Sequence, residues 1–232
     1  MLPVAILAGG LATRLRPITE KIPKALVEVA GRPFISWQLD QLHNEGYYEV
    51  VICTGYLGGM IEDAIGGGHS YGLSVSYSHD GETLLGTGGA LKKAAHKLGD
   101  CFFVLYGDSY LPIDFKHVER AYIECGKTGL MTILENKNKW DKSNVLFHNG
   151  ALIEYNKSQP STQMRHIDYG LSILNSKCLF DYKPDRNWDL SDLFHDLSLR
   201  GDLQGYEVYK RFYEIGTHAG LAEAAKFFHH GE

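Results

Sequence analysis

Short apolar runs rich in β-branched residues alternate with segments of helical periodicity through the first half of the chain, and this alternation constrains the fold most. A run that is apolar at every residue has to be covered on both faces. An amphipathic segment following it supplies both the cover and the crossover to a parallel neighbour. The runs are Pro3 to Leu7, Val50 to Thr54 and Phe102 to Tyr106, with Leu73 to Ser78 alternating like a strand, and the helical segments between them are Phe34 to Asn44, Leu57 to Ile65 and Gly88 to Lys97. Phe34, Ile35, Leu39 and Leu42 share one helical face, while Gly46 and the Gly66-Gly67-Gly68 run stop two of the helices. The expectation is an α/β fold with a mostly parallel sheet flanked by helices.

The pattern changes after Phe115 to Cys125, which reads as a helix. Leu130 to Leu134, Val145 to His148, Ala151 to Tyr155 and Ile167 to Leu174 are strand runs with little helix between them, which predicts a small antiparallel β annex in the second half. Asn149-Gly150 joins two of these runs and is a hairpin signal. Leu190 to Leu199 and Ala219 to Phe228 read as helices, with Leu203 to Val208 a strand between them. No internal repeat, Pro/Ser linker or charge block divides the chain, so 1–232 is expected to form one domain with halves meeting near residue 112.

Composition narrows the function. The 232 residues are 44% hydrophobic and 22% charged, enough to build a core without metal or disulfide staples. A formal charge of -5 and the absence of any Lys/Arg run argue against nucleic-acid binding, so an anionic partner must be small and locally bound. Cys53, Cys101, Cys125 and Cys178 are scattered without a C-x-x-C pair and read as core thiols. The apolar opening Leu2 to Ala8 lacks a preceding basic residue and is too short for a signal segment, and no stretch reaches the roughly 18 apolar residues of a membrane span. The expectation is a soluble cytoplasmic protein without membrane partners.

The segment Leu7-Ala8-Gly9-Gly10-Leu11-Ala12-Thr13-Arg14-Leu15-Arg16-Pro17 carries the strongest chemical signal. Glycines leaving a buried strand let the backbone approach a ligand closely, and successive N–H groups can surround phosphate oxygens. Arg14 adds a bidentate fork, and Lys24 behind Pro23 adds a point charge. The spacing is neither a Walker A loop nor G-x-G-x-x-G. An ordinary strand-to-helix turn would explain Gly9-Gly10 alone, but not the two cations that follow.

Leu7 to Thr19, spaced to Pro23-Lys24-Ala25-Leu26, resembles the opening signature of the sugar-1-phosphate nucleotidylyltransferases. The resemblance continues in order through Val29-Ala30-Gly31-Arg32-Pro33, Leu85-Gly86-Thr87-Gly88-Gly89-Ala90, Tyr106-Gly107-Asp108 and Ile215-Gly216-Thr217, spread over nearly the whole chain. It implies a Rossmann-like sheet with a sugar-binding β annex, nucleotide in the half up to about 112 and sugar in the half from about 113. It implies transfer of a nucleoside monophosphate from an NTP to a sugar 1-phosphate, with pyrophosphate released and Mg2+ as cofactor. Leu7, Ala8, Gly9, Gly10, Thr13 and Arg14 would hold the nucleotide, joined by Gly86, Thr87 and Gly88 beside the base. Thr87 also suits a cap for the helix that follows. In Asp80-Gly81-Glu82, Glu82 could accept from guanine or cytosine amino groups.

Asp108 follows a buried strand directly, where open α/β sheets place ligands, and its carboxylate can hold Mg2+. Mg2+ takes one or two carboxylates with phosphate oxygens and water, so a second acid is expected. Glu214 precedes Ile215-Gly216-Thr217, where the resemblance implies a metal-binding Asp; it is one methylene longer. For the acceptor, Lys157 matches a phosphate-binding Lys, while the adjoining Glu of relatives is displaced, with Asn156 in its place and Glu154 two residues earlier. Tyr106, Asp168 and Gly170 complete the expected acceptor pocket.

The implied chemistry is in-line attack by an ionised phosphate oxygen on the α-phosphorus, needing charge neutralisation from Arg14, Lys24 and Asp108-bound metal and no general base. Two alternatives stay open: a catalytically silent nucleotide-sugar-binding regulatory subunit, and a cytidylyltransferase acting on a phosphorylated non-sugar acceptor. The chain ends where the catalytic domain of such enzymes ends, so a fused acyltransferase half is not expected. Association into a homo-oligomer is left open, as are the base and the sugar.

Overall fold

The computed structural model describes residues 1–180 and 187–230. In chain order the elements are β1 (Val4–Leu7), β2 (Glu28–Val29), β3 (Arg32–Pro33), α1 (Phe34–Glu45), β4 (Glu49–Thr54), α2 (Gly58–Ile65), β5 (Ser74–His79), α3 (Gly86–Leu98), β6 (Cys101–Tyr106) and β7 (Ser109–Tyr110). There follow α4 (Phe115–Cys125), β8 (Gly129–Glu135), β9 (Val145–His148), β10 (Ala151–Tyr155), β11 (His166–Asn175), α5 (Leu190–Leu199), β12 (Leu203–Val208), β13 (Tyr213–Glu214) and α6 (His218–His230).

The expected parallel sheet is present. β6, β1, β4 and β5 lie side by side, with β1 parallel to both β4 and β6 and β4 parallel to β5. Successive residues of a strand face opposite sides, which divides the core in two. Val4, Ile6, Val50, Ile52, Phe103 and Leu105 pack under α1, α2 and α4. Ala5, Leu7, Val51, Cys53, Phe102 and Val104 pack under α3 and α5. Phe34, Ile35, Leu39 and Leu42 of α1 are fully buried, and each such side chain contributes roughly 1.5–3 kcal/mol of transfer free energy.

The annex joins the main sheet edge to edge. β11 pairs antiparallel with β6 through Leu171 to Asn175 and with β8 on its other side, while β9 and β10 extend it. One strand departs from the antiparallel pattern: β12 runs parallel to β8. Asn149 and Gly150 both have positive φ, 51° and 78°, as the tight hairpin between β9 and β10 requires. α3 begins at Gly86, two residues before the expected start. The ribbons β2–β3 and β7–β13 have no counterpart in the sequence reading, because two-residue strands carry no periodicity.

All four cysteines are free thiols; Cys53 and Cys178 are buried, and Cys101 and Cys125 are partly so. Among the described residues no helix is long and apolar enough to cross a membrane.

Candidate active site

Three parallel strands end around one loop. Ala8 donates to the Cys53 carbonyl at 2.8 Å and Gly107 donates to the Leu7 carbonyl at 3.0 Å, so the chain leaving β1 is pinned between the ends of β4 and β6. A side chain at Gly9 would stand 3.0 Å from the Gly55 nitrogen, which is why glycine is needed there. Ala12 adopts the left-handed conformation, and the Thr19 hydroxyl donates to its carbonyl at 2.8 Å. Leu15 is fully buried and anchors the following turn, leaving Thr13 and Arg14 exposed.

A cavity of about 370 Å³ opens on this loop. Leu7, Ala8, Gly9, Gly10, Lys24, Gly86, Thr87, Tyr106 and Asp108 line it, bringing together most of the expected nucleotide residues and both central charged groups. Gly88 lies behind the wall, where a Cβ would run into the Trp188 ring; its role in the structure is close packing. Thr87 does not cap α3. Its hydroxyl accepts from the Leu190 N–H at 2.8 Å, at the first residue of α5, because α3 already starts at Gly86 and Thr87 lies within it.

Glu82 is exposed and lies outside the cavity lining, whereas Asp80, two residues earlier, is buried in the wall. Asp80 Oδ2 accepts from the Leu85 N–H at 3.0 Å, and Oδ1 has no hydrogen-bond partner among the described residues. Burial raises its pKa, against the lowering influence of the Leu85 N–H and Lys93. A buried carboxylate oxygen without a donor is costly, and the residue that carries it is part of the cavity lining. Asp80 is the functional candidate that the sequence reading passed over. The available signal was Gly81, a turn residue two positions past the end of β5, whose φ is 98°.

The central charges come together through the β7–β13 ribbon. Glu214 lies opposite Ser109, and the Ile215 N–H donates to the Asp108 carbonyl at 2.9 Å. Gln38 Nε2 donates to the carbonyls of Tyr106 and Ser109, at 2.9 and 2.8 Å, fixing the chain on both sides of Asp108. Lys24 Nζ stands 2.7 Å from Asp108 Oδ2, and the Ser109 hydroxyl donates to Oδ1 at 3.2 Å. The Glu214 carboxyl is pushed up by burial first and then by the charge of Asp108, while Arg14 and Lys24 pull it down.

Among the described residues no group of three or more His, Cys, Asp or Glu gathers as a metal cage. The Asp108–Glu214 pair nevertheless fits a hard divalent ion bound with phosphate oxygens. Such an ion needs one or two carboxylates, and two carboxylates close enough for one to raise the pKa of the other are stabilised by a cation between them.

On the acceptor side, Lys157 Nζ lies 3.6 Å from Asp189 Oδ2. Glu154 is used locally, accepting from Asn156 Nδ2 at 3.1 Å. Gly170 has a φ of 102° at a register shift in β11, and a side chain there would reach only ordinary contact with Tyr106 and Ser109, so the glycine leaves space. Asp168 Oδ1 accepts from the Gly170 N–H at 2.9 Å. Burial is the main cause that raises the Asp168 pKa to about 6, with Asp189 adding to it and Lys157 opposing.

That shift has a testable sign. Folding favours the protonated carboxyl, so ionised Asp168 costs stability above pH 6, the cost shrinks as pH falls from 6 towards 4, and it is gone below the ordinary value. Asp168→Asn keeps the acceptor for Gly170 and removes the charge. It should raise the melting temperature by several degrees at pH 8, for a penalty of no more than about 3 kcal/mol, with the gain vanishing near pH 4. Thermal melts across that range check it; an equal gain at both ends would mean burial of the charge is not the cause.

The family model described as nucleotidyl transferase matches residues 4–230. The N-acetylmuramate alpha-1-phosphate uridylyltransferase of Neisseria meningitidis serogroup B (strain ATCC BAA-335 / MC58) is 43% identical over 111 residues, covering 47% of this chain and 48% of that relative. This chain therefore matches about half the length of that enzyme. The D-glycero-alpha-D-manno-heptose 1-phosphate guanylyltransferase of Aneurinibacillus thermoaerophilus is 29% identical over 177 residues, 76% of this chain and 75% of the relative. Among solved structures, HddC from Yersinia pseudotuberculosis superposes with a TM-score of 0.83 at 26% identity, covering 98% of this chain and 100% of that one. A match that runs almost from end to end, over a sheet whose strands converge on a glycine loop of this build, establishes descent: the chain belongs to the nucleotidyl transferase family.

Proposed function

We propose that the protein transfers a nucleoside monophosphate from an NTP to a sugar 1-phosphate, giving a nucleoside diphosphate sugar and pyrophosphate. One observation carries this reading: Lys24, Asp108 and Glu214 meet beside a cavity floored by the Gly9-Gly10 loop. Glu214 lies opposite Ser109 and feels the charge of Asp108, which favours a catalytic site over a silent subunit. The named relatives transfer nucleotides to sugar phosphates and point the same way.

In the proposed reaction an acceptor phosphate oxygen attacks the α-phosphorus, the new P–O bond forms, and the bond to the β-phosphate breaks to release pyrophosphate. The acceptor phosphate is already ionised at neutral pH, so no side chain has to remove a proton. The backbone from Ala8 to Thr13 would surround phosphate oxygens, and Arg14 would hold the departing pyrophosphate with its fork. Lys24 would neutralise charge near the α-phosphate, and Lys157 would receive the acceptor phosphate. Asp168 would bind sugar hydroxyls over the space left by Gly170, against Tyr106. Nucleotidyltransferases generally use a divalent metal; here Mg2+ held by Asp108 and Glu214 would supply Lewis-acid stabilisation of charge on the reacting phosphates.

Asp80 would read the base. Guanine offers one carboxylate two adjacent donors, N1–H and the 2-amino group, whereas uracil and thymine offer a single N–H beside two carbonyls, so the reading favours GTP. The testing experiment incubates the protein and Mg2+ with ATP, GTP, CTP, UTP or dTTP against hexose, heptose and N-acetylmuramate 1-phosphates and measures pyrophosphate. GTP-dependent release is expected, and silence with every pair removes the proposal. Asp80→Asn should lower kcat/KM for GTP by roughly 10- to 100-fold, the value of a lost bidentate base contact, with a much smaller effect for UTP. An equal loss for all bases would place Asp80 outside base recognition.

A further inference from the structure

Glu214 sits on a two-residue strand that pairs with β7 on one side, and the C-terminal helix packs against it as well. A Cβ at Gly220 of α6 would collide with the Glu214 carbonyl oxygen. The helix backbone therefore lies directly against the strand at the acidic residue. Around that contact, the Tyr213 ring stacks on Phe227 with centroids 4.1 Å apart and planes at 21°, and Ile215 is fully buried beside Ala224. Thr217 closes the turn, its hydroxyl accepting from the Gly220 N–H at 3.0 Å.

We propose that α6, through Gly220 and Phe227, is a positioning element for the divalent cation, setting how far the Glu214 carboxylate reaches towards Asp108. The proposal rests on the reading that Glu214 helps hold that cation. Gly220 and Phe227 are not among the residues that line the cavity. They act through the backbone and neighbour of Glu214, and residues that orient a metal ligand typically change affinity by about 10- to 100-fold when altered. Gly at position 220 is needed because any side chain pushes the strand away from the helix; the aromatic ring at 227 is needed because it holds Tyr213 in register.

The test titrates Mn2+ alone into the metal-free 232-residue chain and reads free Mn2+ by electron paramagnetic resonance, with no turnover involved. Wild type, Glu214→Gln, Gly220→Ala, Phe227→Leu and Phe227→Tyr are compared, with melting curves to verify folding. Gly220→Ala should bind about tenfold more weakly and Phe227→Leu should shift in the same direction, while Phe227→Tyr keeps the ring and keeps wild-type affinity. If Glu214→Gln weakens binding but folded Gly220→Ala binds as wild type does, the positioning proposal is overturned and the metal reading stands. Should Gly220→Ala fail to fold, equal affinity of Phe227→Leu and Phe227→Tyr overturns it instead. If wild type and Glu214→Gln give the same isotherm, the metal reading falls and takes the proposal with it.

Discussion

Asp108→Asn is expected to lower kcat/KM by about 10³-fold, close to 4 kcal/mol of transition-state stabilisation, while the melting temperature stays near that of the wild type. The fold should survive because the backbone ties remain, the carbonyl accepting from Ile215 and Gln38 fixing the carbonyls on either side, and because the Lys24 ammonium that loses its Asp108 partner still has the charge of Glu214 nearby. Asparagine keeps an acceptor for the Ser109 hydroxyl but cannot offer a negative charge to a cation. The same change removes one of the influences that raise the Glu214 pKa, so the remaining carboxylate should ionise more readily and still fail to compensate. Steady-state pyrophosphate release and circular dichroism melts decide the matter. Activity within a few-fold of wild type would mean the cation is held elsewhere, and a collapsed melt would mean the residue is structural.

The parts of this site that the sequence made legible are those encoded locally. Gly9 and Gly10 follow a run that is apolar at every position, and Asp108 stands just past another, so both are placed by the rule that ligands bind beyond the carboxyl ends of parallel strands. Helix α4 and the β9–β10 hairpin fall at the expected residues because amphipathic period and Asn-Gly turn chemistry are local physics. What stayed hidden depends on distant partners. Thr87 has the chemistry of a cap and is one, but for α5 rather than for its own helix, since Leu190 arrives there only through tertiary packing. Asp80 and Glu82 are two carboxylates two residues apart on a turn, and it is Asp80 that tertiary bonds draw inside, its N–H donating to the Thr54 carbonyl and its carboxylate accepting from the Leu85 N–H. Glu214 is expected beside Asp108 from the Ile215-Gly216-Thr217 resemblance, but the ribbon of two-residue strands that brings it there is an arrangement no periodicity announces.

Lys24→Met should lower kcat/KM by about 10²- to 10³-fold, the range for removing one preorganised charge or donor from a site where negative charge develops. The side chain is largely buried, 19% exposed, and its ammonium already faces Asp108 at 2.7 Å in the same cavity that Gly9 and Gly10 line. Lys24→Arg should recover little, because a planar fork on a longer stem cannot occupy the place of a compact ammonium behind Pro23. Methionine fills a similar volume, so the loss is one of charge; with Asp108 and Glu214 then left to repel each other, the metal-free variant should also melt a few degrees lower. The double variant Asp108→Asn/Lys24→Met separates two accounts. If both residues serve the same reacting phosphate, its activity should lie close to that of Asp108→Asn alone rather than at the product of the two losses. Multiplied losses would assign Lys24 to a different phosphate from the one the cation meets, and wild-type turnover in Lys24→Met would remove it from the reaction altogether.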